Sequence, residues 1–234
     1  MKSLLNLSAT LLAFFVSLTV SAQQLDLPKG MTDYEKTIME EYLLSFEDRG
    51  ITTPPPYTNI RHMAEWEEVQ ALVITWTGSF NTIQTEIVDA AQEECLVIIH
   101  CSDSNNVKSI LTGNGVPDVN IHYLEVPYNS IWIRDYGANT CYNNYVDDIF
   151  LVDWIYNRPR PDDDVMPDAY AAYLVIPIYS MTQAPTNIMG TGGNWMTDSD
   201  GTGFSSELII DENDGNGPYA LPYPNHTEAD IDQL

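Results

Sequence analysis

"VQALVITWTGSFNTIQTEIVDAAQEECLVIIH", residues 69–100, is the stretch that sets the fold class. Residues 69–76 are apolar and rich in β-favouring side chains, residues 80–95 carry apolar side chains at helical spacing, and residues 96–100 are a second short apolar run. A helix between two apolar strands of this length is a crossover unit. Downstream, a second helix over about 104–111 leads to another strand, "VNIHYLEV" at 119–126. The order strand, helix, strand, helix, strand defines an α/β arrangement.

The pattern recurs. "IWIRDYGANTCY" (131–142) and "DDIFLVDW" (147–154) read as strands, a helix is expected over 164–174, and "VIPIYS" (175–180) reads as the next strand. A third copy starts around "NIMGTGGNWMTD" (187–198) and continues with "FSSELIID" (204–211). Loosely repeated α/β units of about 50 residues favour a radial or tandem arrangement over one open doubly wound sheet.

Residues 1–22 have the layout of a cleaved secretory signal: a lysine near the start, an apolar run from Leu11 to Val20, then Ser21 and Ala22. That run is too short for the ~20 residues of a membrane-spanning helix, so the expected location is secreted or periplasmic, with no membrane contact after cleavage. Residues 23–60 read as an N-terminal extension, with a helix that Thr32 caps and Gly50 ends, followed by the stiff "TTPPPY" turn. The main domain is expected over 61–234. Its last residues, "NHTEADIDQL", look like the first turns of a helix capped by Thr227, so the domain is expected to be partial, truncated at its C-terminus.

The 234 residues carry 9 basic and 34 acidic side chains, a net charge of −25. Such a surface repels nucleic acid and anionic membranes; it accommodates a cationic substrate without selecting one. Cys95, Cys101 and Cys141 are odd in number and lack CxxC spacing, and the four histidines are scattered, so neither a disulfide framework nor a metal or cofactor site is expected.

Three clusters fall where strands give way to loops. In "NSIWIRDYG" (129–137), Asp135 beside Trp132 is suited to gripping a planar cation, with the indole against its face; a local pair between Arg134 and Asp135 is the alternative. In "DWIYNRPRP" (153–161), the prolines after Arg158 and Arg160 hold two guanidinium groups on a stiff loop, where they could bind a carboxylate or pair with Asp162, Asp163 and Asp164 next door. "TGGNW" (191–195) permits close backbone approach, as a turn beside a pocket or as any tight turn.

Together with "MAEWEEVQALVITW", these segments resemble, in order and spacing, the bacterial peptidylarginine deiminases within the wider agmatine deiminase group, over about residues 61–213. The resemblance implies a pentein fold, a five-bladed α/β propeller of ββαβ-type units, of which this chain would hold about three. It implies conversion of a guanidinium to a ureido group with loss of ammonia, through a cysteine thiolate, a histidine and two aspartates. By that match Asp135 looks like the first guanidinium-binding aspartate and Trp132 like the pocket wall. Arg158 and Arg160 resemble the pair that binds the C-terminal carboxylate of a peptide ending in arginine, a loop that favours such a peptide over agmatine. The family's His-x-Asp pair and Gly-rich cysteine segment have no counterpart here, so the chain alone is expected to be inactive. The expected function is that of the N-terminal part of a secreted protein-arginine deiminase. Agmatine deiminase and a non-catalytic guanidinium- or peptide-binding module are the alternatives.

Overall fold

The computed structural model describes residues 26–46, 50–53, 55–143, 147–217 and 226–233; the expected signal sequence lies outside them. Helix α1 (Asp33–Leu44) opens on Thr32, whose hydroxyl accepts from the Glu35 amide while the Glu35 carboxylate accepts from the Thr32 amide at 2.6 Å. This reciprocal cap is the expected start of the helix. The end differs from expectation: α1 stops at Ser45, and Gly50, with φ +93°, instead lies against residues 180–182, where any Cβ would collide with Thr182 and the Ser180 carbonyl.

After strand β1 (Ile60–His62) comes the unit that residues 69–100 announced: β2 (Ala71–Trp76), α2 (Asn81–Ala91), β3 (Leu96–Cys101), α3 (Ser104–Gly113) and β4 (Ile121–Glu125). The three strands form one parallel sheet in the order β2-β3-β4, with Ile74 opposite Ile99 and Ile99 opposite Tyr123. Side chains alternate across it. Ile74, Trp76, Val97 and Ile99 pack with Val88, Val107 and Leu111 from the two helices, while Ile98 faces the other way, into a cluster with Leu151, Tyr170 and Ala171. Burial on both faces explains the nearly unbroken apolar runs, and each fully buried Val or Ile contributes roughly 1.5–3 kcal/mol.

A short helix α4 (Ile133–Tyr136) and strand β5 (Asn139–Asn143) follow. The first half of "IWIRDYGANTCY", read as strand, is therefore helical. Asp135 and Tyr136 bond back to the Trp132 carbonyl and Gly137 to that of Ile133, a single turn too short to show a 3.6-residue period. Next come β6 (Asp147–Tyr156), α5 (Pro161–Asp164), α6 (Met166–Leu174), β7 (Ile178–Met181) and β8 (Met189–Gly190). The helix expected over 164–174 is broken at Val165, with Pro161 and Pro167 each in a first turn. These strands form a mixed sheet in the order β1-β5-β6-β7, with β8 also paired to β6. On the far side of β8 the Asn213 amide takes the place of a neighbouring strand: its Oδ1 accepts from Met189 N and its Nδ2 donates to Met189 O, both at 2.8 Å.

A one-turn 3₁₀ helix (Gly192–Asn194) leads into the antiparallel pair β9 (Trp195–Thr197) and β10 (Gly203–Ser205), then α7 (Leu208–Asp211) and α8 (Glu228–Ile231). The stretch 204–211 thus runs from the end of β10 into α7. Thr227 caps α8 as expected. The fold is mixed α/β. The N-terminal extension is packed into it, with Met39, Tyr42, Leu43 and Phe46 forming one cluster with Ile155 and Met189.

Candidate functional site

The C-terminal ends of β2 and β6 meet at one corner, and a hydrogen-bond frame holds α4 there. The Tyr136 hydroxyl donates to the Ser130 carbonyl at 3.0 Å and bonds Thr75 Oγ1 at 2.7 Å, while Tyr128 Oη donates to the Trp76 carbonyl. Asp163 of α5, fully buried, accepts from Asn129 N, Ser130 N and Ser130 Oγ at 2.7, 2.9 and 2.6 Å. Asn129 Oδ1 in turn accepts from the Asp162 amide at 2.8 Å. The "NSIWIRDYG" segment is thereby tied to the end of the "NRPRP" loop. Burial pushes the Asp163 carboxyl up to about 6, against the pull of those donors.

Asp135 lies on α4 with 4% of its surface exposed. The "TGGNW" turn presses on it from the opposite side: a Cβ on Gly193 would overlap Asp135 Oδ1, and one on Gly192 would overlap the Arg134 carbonyl. Glycine is needed here for close approach, not for backbone conformation. Arg134 does not pair with Asp135; its guanidinium reaches the Glu65 carboxylate. The cation facing Asp135 is Lys29 of the extension, with Nζ 3.9 Å from Oδ1.

Trp132 packs with Tyr136, Tyr156 and Met166 and donates its indole N–H to the Leu27 carbonyl at 2.9 Å. Arg158, half-buried, donates to the carbonyls of Lys29 and Asn157. Arg160 is 1% exposed; its Nε donates to Glu35 Oε1 at 2.7 Å and its Nη2 to the carbonyls of Pro28 and Gly30. Neither arginine takes a neighbouring aspartate of 162–164 as a hydrogen-bond partner. The charges of Arg160, Asp135, Asp163 and Arg158 all bear on the Tyr156 phenol, which is buried without a hydrogen-bond partner. The four nominated side chains therefore converge on one corner.

Sequence reasoning passed over Lys29, Glu35, Tyr156 and Glu212, and considered Asp163 only as a partner for the arginines, not for residues 129–130. Glu212, which follows α7, accepts from Asn157 Nδ2 at 2.7 Å, and burial pushes its carboxyl from 4.5 up to about 7. A carboxyl raised in the folded chain contributes stability fully below its unfolded value and loses that contribution as pH rises through its folded value. Stability is therefore expected to fall by on the order of 1–3 kcal/mol between about pH 4.5 and 7 from this group. Glu212→Gln should flatten that part of a thermal-melting profile; an unchanged slope would rule the assignment out.

Cys95, Cys101 and Cys141 are free, and the latter two are buried, which disfavours the thiolate that attack would need. Burial pushes Cys101 up to about 11 and Cys141 up to about 12.

Residues 61–219 match the Porphyromonas-type peptidyl-arginine deiminase family. Among solved structures, the chain is similar to one assigned as a peptidyl-arginine deiminase (TM-score 0.59, 18% identity, covering 75% of this chain and 53% of that one). It is also similar to an agmatine deiminase of Enterococcus faecalis (0.59, 17%, 78% and 52%) and to a C. jejuni agmatine deiminase variant with substrate bound (0.57, 17%, 74% and 52%). The chain spans about half the length of these structures. At these identities the likeness concerns the fold alone.

Proposed function

Because the chain belongs to the Porphyromonas-type peptidyl-arginine deiminase family, we propose that it is the guanidinium-binding part of a secreted or periplasmic deiminase that converts C-terminal peptidyl-arginine to citrulline. In this reading it contributes about three of five propeller blades. The observation that carries the proposal is Asp135: a buried carboxylate on the turn that Trp132 starts, pressed by Gly193, whose facing partner is the exposed Lys29 and not an arginine. A substrate guanidinium would donate to Asp135 with its plane against the indole. Arg158, half-buried at the rim, is the better placed arginine for a substrate carboxylate, with Arg160 behind it.

In the reaction, a thiolate bonds to the guanidinium carbon, the C–N bond to ammonia breaks, and water then releases the thiol and leaves a ureido group. Burial disfavours the thiolates of Cys101 and Cys141, which supports a nucleophile other than these two; in this reading it lies outside the chain, which alone would bind without turnover.

Calorimetry with a peptide ending in arginine and with agmatine tests this. The peptide should bind more tightly, and Asp135→Asn should weaken both by about 1–3 kcal/mol, the scale of a lost charged partner. Affinity unchanged by Asp135→Asn would remove Asp135 as the anchor. The likeness to agmatine deiminases supports a second reading in which agmatine is the substrate, and tighter binding of agmatine than of the peptide would select it. A non-catalytic binding module would give the same calorimetry and no citrulline from the intact protein.

A further inference from the structure

Residues 27–30, Leu-Pro-Lys-Gly, lie across the candidate site as a peptide would. The four consecutive carbonyls each accept from a side chain nominated for substrate: Leu27 from Trp132 at 2.9 Å, Pro28 from Arg160 at 2.7 Å, Lys29 from Arg158 at 3.1 Å, and Gly30 from Arg160 at 3.3 Å. The Lys29 ammonium faces Asp135.

We propose that the Leu27–Gly30 segment is an intramolecular occupant of the guanidinium site, an autoinhibitory strap that an arginine-bearing ligand must displace. The proposal rests on the reading of Asp135, Trp132, Arg158 and Arg160 given above. Lysine suits the role chemically: its ammonium offers charge to the carboxylate, but it has no electrophilic carbon between nitrogens for a thiolate to attack, so the strap occupies the site without being consumed. The ammonium is also 61% exposed in its side chain, so its hold on Asp135 is weak enough to be competed away. The capped start of α1 and the Glu35–Arg160 pair anchor the strap immediately downstream, which keeps its local concentration high after release.

The test uses the whole chain. Agmatine and a peptide ending in arginine are titrated into wild type, Lys29→Ala and Lys29→Arg, and tryptic cleavage after Lys29 is timed in wild type and Asp135→Asn. Lys29→Ala should bind both ligands about two- to fivefold more tightly, the range expected for release of one exposed ion pair, while Lys29→Arg, which presents a guanidinium to the same carboxylate, should bind no more tightly than wild type. Asp135→Asn should speed cleavage after Lys29, as should saturating peptide on wild type. Equal affinities across the three chains, or cleavage indifferent to both Asp135→Asn and ligand, would overturn the strap and leave the guanidinium site standing. Folded chains that bind neither ligand, Lys29→Ala included, would overturn the functional reading and the strap with it.

Discussion

Glu35→Ala is expected to destabilise the chain by about 3–5 kcal/mol in urea denaturation. The reason lies in Arg160. Its guanidinium is 1% exposed and always charged, and Glu35 is the carboxylate that meets it, at 2.7 Å. Burial works to raise the Glu35 carboxyl, but the hydrogen bonds from Arg160 and Thr32 outweigh it and hold the group below its ordinary value. Deleting the carboxylate leaves a buried cation with only the Pro28 and Gly30 carbonyls and removes half of the α1 cap, itself worth about 1 kcal/mol. Glu35→Gln keeps the shape and an acceptor and should lose less. A loss under 1 kcal/mol for Glu35→Ala would mean that Arg160 finds water or another acceptor once α1 moves.

Asp163→Ala is expected to cost about 2–4 kcal/mol, measured the same way. Three donors end on this carboxylate, two of them backbone amides, and all would lose their partner, the two of Ser130 while fully buried. The loss is more than energetic, because those amides fix residues 129–130, from which the Trp132 and Asp135 turn departs. Guanidinium binding should weaken in parallel with stability. Asp163→Asn, which retains an acceptor oxygen, should fall between the two; an alanine variant as stable as wild type would show that the segment 129–130 repacks.

The parts legible in the sequence were those with a period. The β2–α2–β3–α3–β4 unit follows from two apolar runs and a helical stripe, and its double-sided burial accounts for why those runs do not alternate. Thr32 and Thr227 were readable as caps because a capping box spans four residues. One-turn elements were not readable. Residues 133–136 carry too few positions for periodicity, and the apolar, aromatic residues leading into their Arg-Asp pair read as strand. For the site, residue types pointed to Asp135, Trp132, Arg158 and Arg160, and the fold gathers them at one corner. Their partners were out of reach, since Leu27, Lys29 and Glu35 lie more than 100 residues away in the chain and no local pattern marks a lysine or a glutamate as belonging to a loop so distant.

The Asn213 amide beside β8 has a consequence for behaviour at high concentration. The Ile188 and Gly190 carbonyls serve β6, accepting from Ile155 and Asn157, so the N–H and carbonyl of Met189 point outward, where an open strand would recruit a foreign chain. Asn213 satisfies both with one side chain and, by donating also to the Ile209 carbonyl, brings the end of α7 over the gap. A side-chain amide thus acts as a terminator of sheet growth. It keeps a two-residue strand from seeding edge-to-edge aggregation without requiring a further strand.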